Sequence, residues 1–133
     1  TFGGNPVSCA AASAVLDVIE TEGLQENARV VGAHAKAGLS RLAENYEWIG
    51  DVRVYGLFFG AEIVTDRATK APAPAYVARV ANEMRRRGVL LNRLGIHYNT
   101  LKIRPPMPFS IANADHLLGL LDEVLGELGA PDA

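Results

Sequence analysis

The feature that most constrains the fold is a change in the spacing of apolar residues near the middle of the chain. Up to about residue 45, apolar residues recur every three to four positions, which is the period of an amphipathic helix. From Leu57 to Val64 they occupy both sets of alternate positions. We therefore expect a strand there that is buried on much of both faces. Because helical periods return after it, the chain is expected to build a small sheet covered by helices.

Four helices are predicted. The first begins at Asn5-Pro6, since asparagine caps free N–H groups and proline at the first helical position loses nothing by lacking one. Gly23 ends it, and a second helix is expected from Leu24 to about Asn45. A third ends at Gly88, after three arginines that suit the negative end of a helix dipole.

Ser110 is expected to cap the fourth helix, whose apolar stripe is the clearest in the chain. Further short strands are expected at Val52–Val54, Val89–Asn92 and Leu101–Arg104, with a loop over Asp66–Pro74. This order of elements predicts a two-layer α/β (α+β) sandwich, with residues 1–133 as a single domain.

Charge and composition exclude several classes of function. The 133 residues include 13 Lys and Arg against 15 Asp and Glu, a net charge of −2, so we expect no nucleic-acid and no membrane-surface partner. No apolar run approaches the roughly 20 residues that span a bilayer. The lone Cys9 cannot form an internal disulfide, which favours a reducing, cytoplasmic location.

No complete catalytic motif is present. The sequence has no G-x-S-x-G nucleophile motif, no P-loop and no pair of histidines or cysteines at metal-ligand spacing, so no metal site is expected. Exposed or hydrogen-bonded side chains without a catalytic role are expected for His34, His97 and His116, and a packing role is expected for Cys9. Gly56 and Gly60 are expected to mark a bend or the close approach of a helix.

Two positions are candidates for ligand binding. Thr1 precedes two glycines and a helix N-terminus, an arrangement that suits a phosphate, although many helices that begin with Gly-Asn-Pro bind nothing. Arg104 follows an apolar strand and precedes two prolines, so its planar guanidinium could bind a carboxylate through two hydrogen bonds. The alternative for Arg104 is a solvated charge at the end of a strand.

Several motifs, in this order, resemble the C-terminal part of class III aminotransferases, which are fold-type I enzymes that use pyridoxal 5′-phosphate. They are Thr1 to Ala10, Ile49 to Arg53, Gly56 to Gly60, Arg87 to Leu91 and Leu101 to Pro106. The stretch Gly95 to Asn99 and Met107 are most similar to the branch of alanine–glyoxylate aminotransferases and amino-alcohol-phosphate phospho-lyases. Val54 departs from the pattern, since the family usually has glycine there, and a different local turn is expected.

The resemblance implies a fold and a cofactor. The chain would be the small C-terminal domain, with a mainly antiparallel sheet, of a homodimeric enzyme that transfers an amino group from an amine or amino acid to a 2-oxo acid. Thr1 would contact the phosphate of pyridoxal 5′-phosphate, typically across the dimer interface, and Arg104 would bind the substrate carboxylate. Lys102 does not match the Schiff-base lysine, which the family places upstream of the first motif, outside this chain.

Other functions stay open at this point. A chain without that lysine is expected to be inactive alone and to expose surfaces that cause self-association. A phospho-lyase that uses the same cofactor is one alternative to the aminotransferase. A non-catalytic module that binds a carboxylate or phosphate, or that serves in assembly, is another.

Overall fold

The computed structural model describes residues 4–132, which form four helices and five strands. The helices are α1 (Pro6–Thr21), α2 (Leu24–Asn45), α3 (Pro74–Arg86) and α4 (Ile111–Leu128). The strands are β1 (Ile49–Tyr55), β2 (Phe58–Asp66), β3 (Ala71–Pro72), β4 (Asn92–Leu94) and β5 (Thr100–Ile103). None of the helices in residues 4–132 is long and apolar enough to cross a membrane.

All of the strand pairs are antiparallel. The sheet has the order β1-β2-β5-β4, and β3 pairs with β2 beyond this path. Tyr55 pairs with Phe58, so a two-residue turn of Gly56 and Leu57 joins β1 to β2. Gly56 has a φ of +54°, a conformation that glycine adopts without the strain of a side chain. The predicted α/β fold with a mainly antiparallel sheet is confirmed.

The helices cover one face of this sheet. Alternate residues of β2, including Phe59, Ala61 and Ile63, are almost completely buried beneath α2, α3 and α4. The other face is open at one end only, so the prediction that β2 is buried on much of both faces is wrong for Phe58, which is 47% exposed, and correct for Val64, which is buried. The apolar pattern of β2 does not distinguish a strand buried on one face from a strand buried on both, because it does not show on which side helices pack.

Strand ends differ from the predictions. β1 starts at Ile49, three residues before the predicted strand, and Val54 pairs with Phe59 inside it, so no separate turn forms at Val54. β3 lies within the predicted loop. The strand expected at 89–92 begins only at Asn92, because Val89 donates its N–H to the Met84 carbonyl at 2.9 Å and closes the end of α3 instead.

The predicted helix caps are confirmed. Asn5 caps α1 by accepting a hydrogen bond from the Ser8 N–H at 2.9 Å. Ser110 and Asn113 form a reciprocal capping box at the start of α4. Gly23 separates α1 from α2 with a φ of +61°. Local chemistry therefore determines where these helices begin.

Helix α4 is tied to the rest of the domain by polar contacts as well as by its apolar stripe. His34 on α2 contacts the Asp115 carboxylate at 2.6 Å. Tyr46 donates a hydrogen bond to Asp122 at 2.6 Å, and this bond, with burial, raises the pKa of Tyr46 to about 12. These contacts hold α4 against α2, the helix that also approaches the sheet most closely.

The closest approach between a helix and the sheet occurs at two glycines. A Cβ atom on Gly32 of α2 would lie 2.2 Å from the Gly56 carbonyl oxygen and 2.7 Å from its carbonyl carbon. Real Cβ atoms do not come this close to backbone atoms, so only glycine at position 32 allows α2 to lie against the β1–β2 turn.

Helix α1 is different, because it lies on the outside of the domain. None of its described residues is buried, and large apolar side chains are exposed along it, among them Val7, Val15 and Leu16. Among the described elements α1 packs only against α2. An exposed apolar surface of this kind favours association with another surface.

The Gly32–Gly56 contact yields a matched pair of substitutions. Gly32→Ala should lower the free energy of unfolding by about 1–3 kcal/mol, since the added methyl group must displace backbone. Gly119→Ala in α4 should raise it by about 0.5–1 kcal/mol, because a Cβ there meets no atom within 4 Å and alanine favours the helix. Urea unfolding of the two variants measures both effects. Equal effects of the two substitutions would contradict the close approach.

The exposed surface of α1 predicts that the isolated 133-residue chain self-associates. Leu16→Glu should shift it toward the monomer, because it places a charge in the apolar surface. Light scattering after size-exclusion chromatography measures the mass, and Ala112→Glu on the exposed side of α4 is the control for added charge. A stable monomer of 14.2 kDa for the unchanged chain would contradict the prediction.

Candidate functional site

Arg104 directly follows β5 and lines a groove. The side chain is exposed and makes no ion pair with another residue of 4–132. The groove has a volume of about 650 Å³. Its lining is otherwise mostly apolar and consists of Ala28, Tyr55, Leu57, Phe58, Pro105, Pro106 and Met107. A guanidinium beside an apolar surface can bind a carboxylate while the carbon chain of the ligand lies on that surface.

The aromatic wall of this groove comes from the β1–β2 turn. Tyr55 is 89% exposed and Phe58 is 47% exposed, and they are paired directly across the two strands. Both side chains also border a second cavity of about 380 Å³ on the open face of the sheet. Arg53 lines that second cavity too, but its guanidinium is held by Glu62 at 2.9 Å. Arg104 therefore differs from Arg53 in that its fork is available to a ligand.

The backbone after Arg104 has few donors of its own. Pro105, Pro106 and Pro108 have no N–H, and Phe109 closes a turn by donating its N–H to the Pro106 carbonyl at 3.0 Å. A side chain of α2 supplies two further hydrogen bonds, as Asn27 donates to the carbonyls of residues 107 and 109. The conformation that presents Arg104 therefore depends on a contact between distant parts of the chain.

The candidate phosphate site is described only in part. Thr1 lies outside the described residues. Gly4 has a φ of +86°, and a Cβ there would meet no atom of residues 4–132 within 4 Å. The N–H groups of Ser8 and Cys9 are already bound by the Asn5 side chain and carbonyl.

The structure separates the remaining candidates from one another. His34 is part of the contact between α2 and α4, and His97 is exposed. His116 lines a cavity of about 190 Å³ that also includes Arg104. Cys9 is exposed on α1 and is not a packing residue. Within residues 4–132 no group of three His, Cys, Asp or Glu side chains could hold a metal ion.

Sequence reasoning missed three residues of this site. Tyr55 and Phe58 were not singled out, because a strand residue that points to an open face looks the same in sequence as one that points to the core. Asn27 was not identified, since its partners lie 80 and 82 residues away. The one available signal was the set of prolines after Arg104, which leaves carbonyl groups without local donors.

Comparisons with known proteins agree on one family. The model of the aminotransferase class-III family matches residues 1–125. Alanine–glyoxylate aminotransferase 2 homolog 2, mitochondrial, from Arabidopsis thaliana is 44% identical over 128 residues, which are 96% of this chain and 27% of that protein. The family resemblance that the sequence motifs predicted is therefore confirmed.

Solved structures extend the same comparison. A phospholyase from Arthrobacter in complex with phosphoethanolamine has a TM-score of 0.92 and 43% identity. The match covers 97% of this chain and 31% of the phospholyase chain. An amine transaminase from an uncultivated Pseudomonas species, in its PLP-bound form, has a TM-score of 0.85 and 37% identity. The match covers 93% of this chain and 28% of the transaminase chain. The chain thus spans less than a third of the length of these relatives.

Two predictions are decided by these comparisons. Pyridoxal phosphate, the predicted cofactor, is confirmed for the family, and the Pseudomonas transaminase contains it. The prediction of a cytoplasmic location is wrong, because the Arabidopsis relative is a mitochondrial protein by its name. A single free cysteine and an absence of apolar runs do not distinguish between intracellular compartments.

Proposed function

The chain belongs to the aminotransferase class-III family, and we propose that it is the C-terminal small domain of an enzyme that transfers an amino group from an amine or amino acid to a 2-oxo acid. The observation that carries this proposal is the guanidinium of Arg104, which has no ion-pair partner among residues 4–132 and lies beside a groove with an aromatic wall. A substrate that contains both a carboxylate and a carbon chain matches these two surfaces.

We assign residues 1–133 to one domain of a longer enzyme. The length of the relatives supports this assignment, since the Arabidopsis protein is matched over only 27% of its length. The lysine that attaches the cofactor and the acidic partner of its pyridine nitrogen are expected in the rest of the polypeptide. The isolated chain should therefore not catalyse transamination.

Arg104 is the proposed ligand of the substrate carboxylate. Its guanidinium can donate two parallel hydrogen bonds to the two carboxylate oxygens, which a lysine ammonium cannot do. This binding fixes the orientation of the substrate, so that its reacting carbon is held in one position relative to the cofactor. The groove walls Tyr55 and Phe58 would exclude water from one side of the bound carbon chain.

Thr1 is the proposed ligand of the cofactor phosphate, in a homodimer where it reaches the site of the neighbouring subunit. Gly4 supports this role, because it brings no side chain of its own to the start of α1, and a helix N-terminus suits an anion. When bound, pyridoxal phosphate supplies the electron sink that amino-group transfer requires.

Substitution of Arg104 in the full-length enzyme tests the carboxylate role. Arg104→Ala should raise the KM for pyruvate about 10- to 100-fold, as expected when hydrogen bonds from a charged group worth about 1.5–3 kcal/mol are lost. Arg104→Lys retains the charge but loses the planar guanidinium. Its KM for pyruvate should therefore lie between those of the unchanged enzyme and Arg104→Ala. The KM for 1-phenylethylamine, which has no carboxylate, serves as the control. An unchanged KM for pyruvate in Arg104→Ala would refute the role.

A phospho-lyase is the second candidate function. The Arthrobacter structure favours it, because that enzyme contains phosphoethanolamine and is 43% identical to this chain. A guanidinium fork at Arg104 can bind a phosphate as well as a carboxylate. Under this candidate the enzyme would eliminate phosphate from an amino-alcohol phosphate.

Product analysis distinguishes the two functions. The full-length enzyme is incubated with phosphoethanolamine in one reaction and with alanine and glyoxylate in another. Aminotransferase activity should give glycine and pyruvate from the second mixture and no inorganic phosphate from the first. Release of inorganic phosphate and ammonia from phosphoethanolamine, without transfer of an amino group, would replace the first candidate by the second.

A further inference from the structure

We propose that Asn27, a residue of α2, is a positioning residue for Arg104. This inference rests on the proposed function, since it assumes that Arg104 binds the substrate carboxylate. Asn27 itself does not line the groove; it acts on the backbone segment that follows Arg104.

The segment that follows Arg104 needs an external hydrogen-bond donor. Three of the five residues from 105 to 109 are prolines, which have no N–H to offer to a neighbouring carbonyl. The N–H of Phe109 is used by the turn, and that of Ser110 is used by the α4 capping box. The carbonyls of Met107 and Phe109 therefore take their donors from elsewhere in the fold.

Asn27 supplies both donors from one amide group. Its Nδ2 lies 2.8 Å from the Met107 carbonyl oxygen and 3.0 Å from the Phe109 carbonyl oxygen, and the contact is partly buried. Because both partners are acceptors, only the NH₂ group of the amide can face them. One side chain thus fixes the segment at two points, close to where it leaves Arg104.

Helix α2 gives Asn27 a fixed position relative to both sides of the groove. Five residues further along, Gly32 lies against Gly56 in the turn that carries Tyr55 and Phe58. The same helix therefore holds the aromatic wall through a backbone contact and the Arg104 segment through the Asn27 amide. Loss of the amide should move the guanidinium relative to the wall, while the wall itself stays in place.

The test uses the full-length holoenzyme with Asn27→Asp, which keeps the size of the side chain but replaces the two donors by an acceptor oxygen. It should raise the KM for pyruvate about tenfold, since small displacements of a binding group are costly, while kcat falls much less. The KM for 1-phenylethylamine should not change. Asn27→Ala is the second variant, and Asn82→Ala on the exposed side of α3 is the matched control.

A double-mutant cycle distinguishes positioning from general destabilisation. If Asn27 acts through Arg104, then Asn27→Ala should have no further effect on the KM for pyruvate in the Arg104→Ala background. Additive effects, or a rise in the KM for both substrates together, would overturn the inference. Binding of pyruvate to the enzyme in the absence of an amine, measured by calorimetry, gives a readout that does not depend on turnover.

The outcomes also separate this inference from the proposed function. If Arg104→Ala leaves the KM for pyruvate unchanged, the carboxylate role fails, and the positioning role fails with it. If Arg104→Ala raises this KM but both Asn27 variants leave it unchanged, only the positioning role is overturned. If Asn27→Asp does not yield folded enzyme, Asn27→Ala decides the question by the same measurements.

Discussion

The contact between Gly32 and Gly56 is the constraint on which the candidate site depends. It lets α2 lie against the β1–β2 turn at a distance that no side chain at position 32 would allow. With α2 in this position, Asn27 reaches the segment that follows Arg104. Gly32 and Asn27, both on α2, therefore fix the position of the aromatic wall relative to the guanidinium of Arg104. The wall and Arg104 come from different strands of the sheet.

The two faces of the sheet have different roles. One face is covered by α2, α3 and α4 and forms the core, so it provides the stability of the domain. The other face carries aromatic and charged side chains and borders the groove beside Arg104. Under the proposed function, this open face and the exposed surface of α1 are the surfaces through which the domain would contribute to a shared site.

Much of the fold could be predicted from the sequence, because its helices have strong local signals. Asn5 and Ser110 cap their helices as expected, since capping involves residues only a few positions apart. Strand ends were harder to predict. Asn92 begins β4 because of its pairing with Lys102 across the sheet, and no local pattern records that partner. In the candidate site, Arg104 was predicted from its strand and prolines and stays a prediction, whereas Asn27 was not singled out.

The sequence by itself determined the order of the elements apart from β3, the helix starts, the family and the candidate role of Arg104, because periodicity, caps and motifs are properties of neighbouring residues. Only the tertiary structure decided which face of β2 is buried, which strands are neighbours and which donor holds the Arg104 segment. These depend on contacts through space between residues far apart in the chain. The hydrogen bond between Asn27 and Met107, which are 80 positions apart in the sequence, is the clearest case.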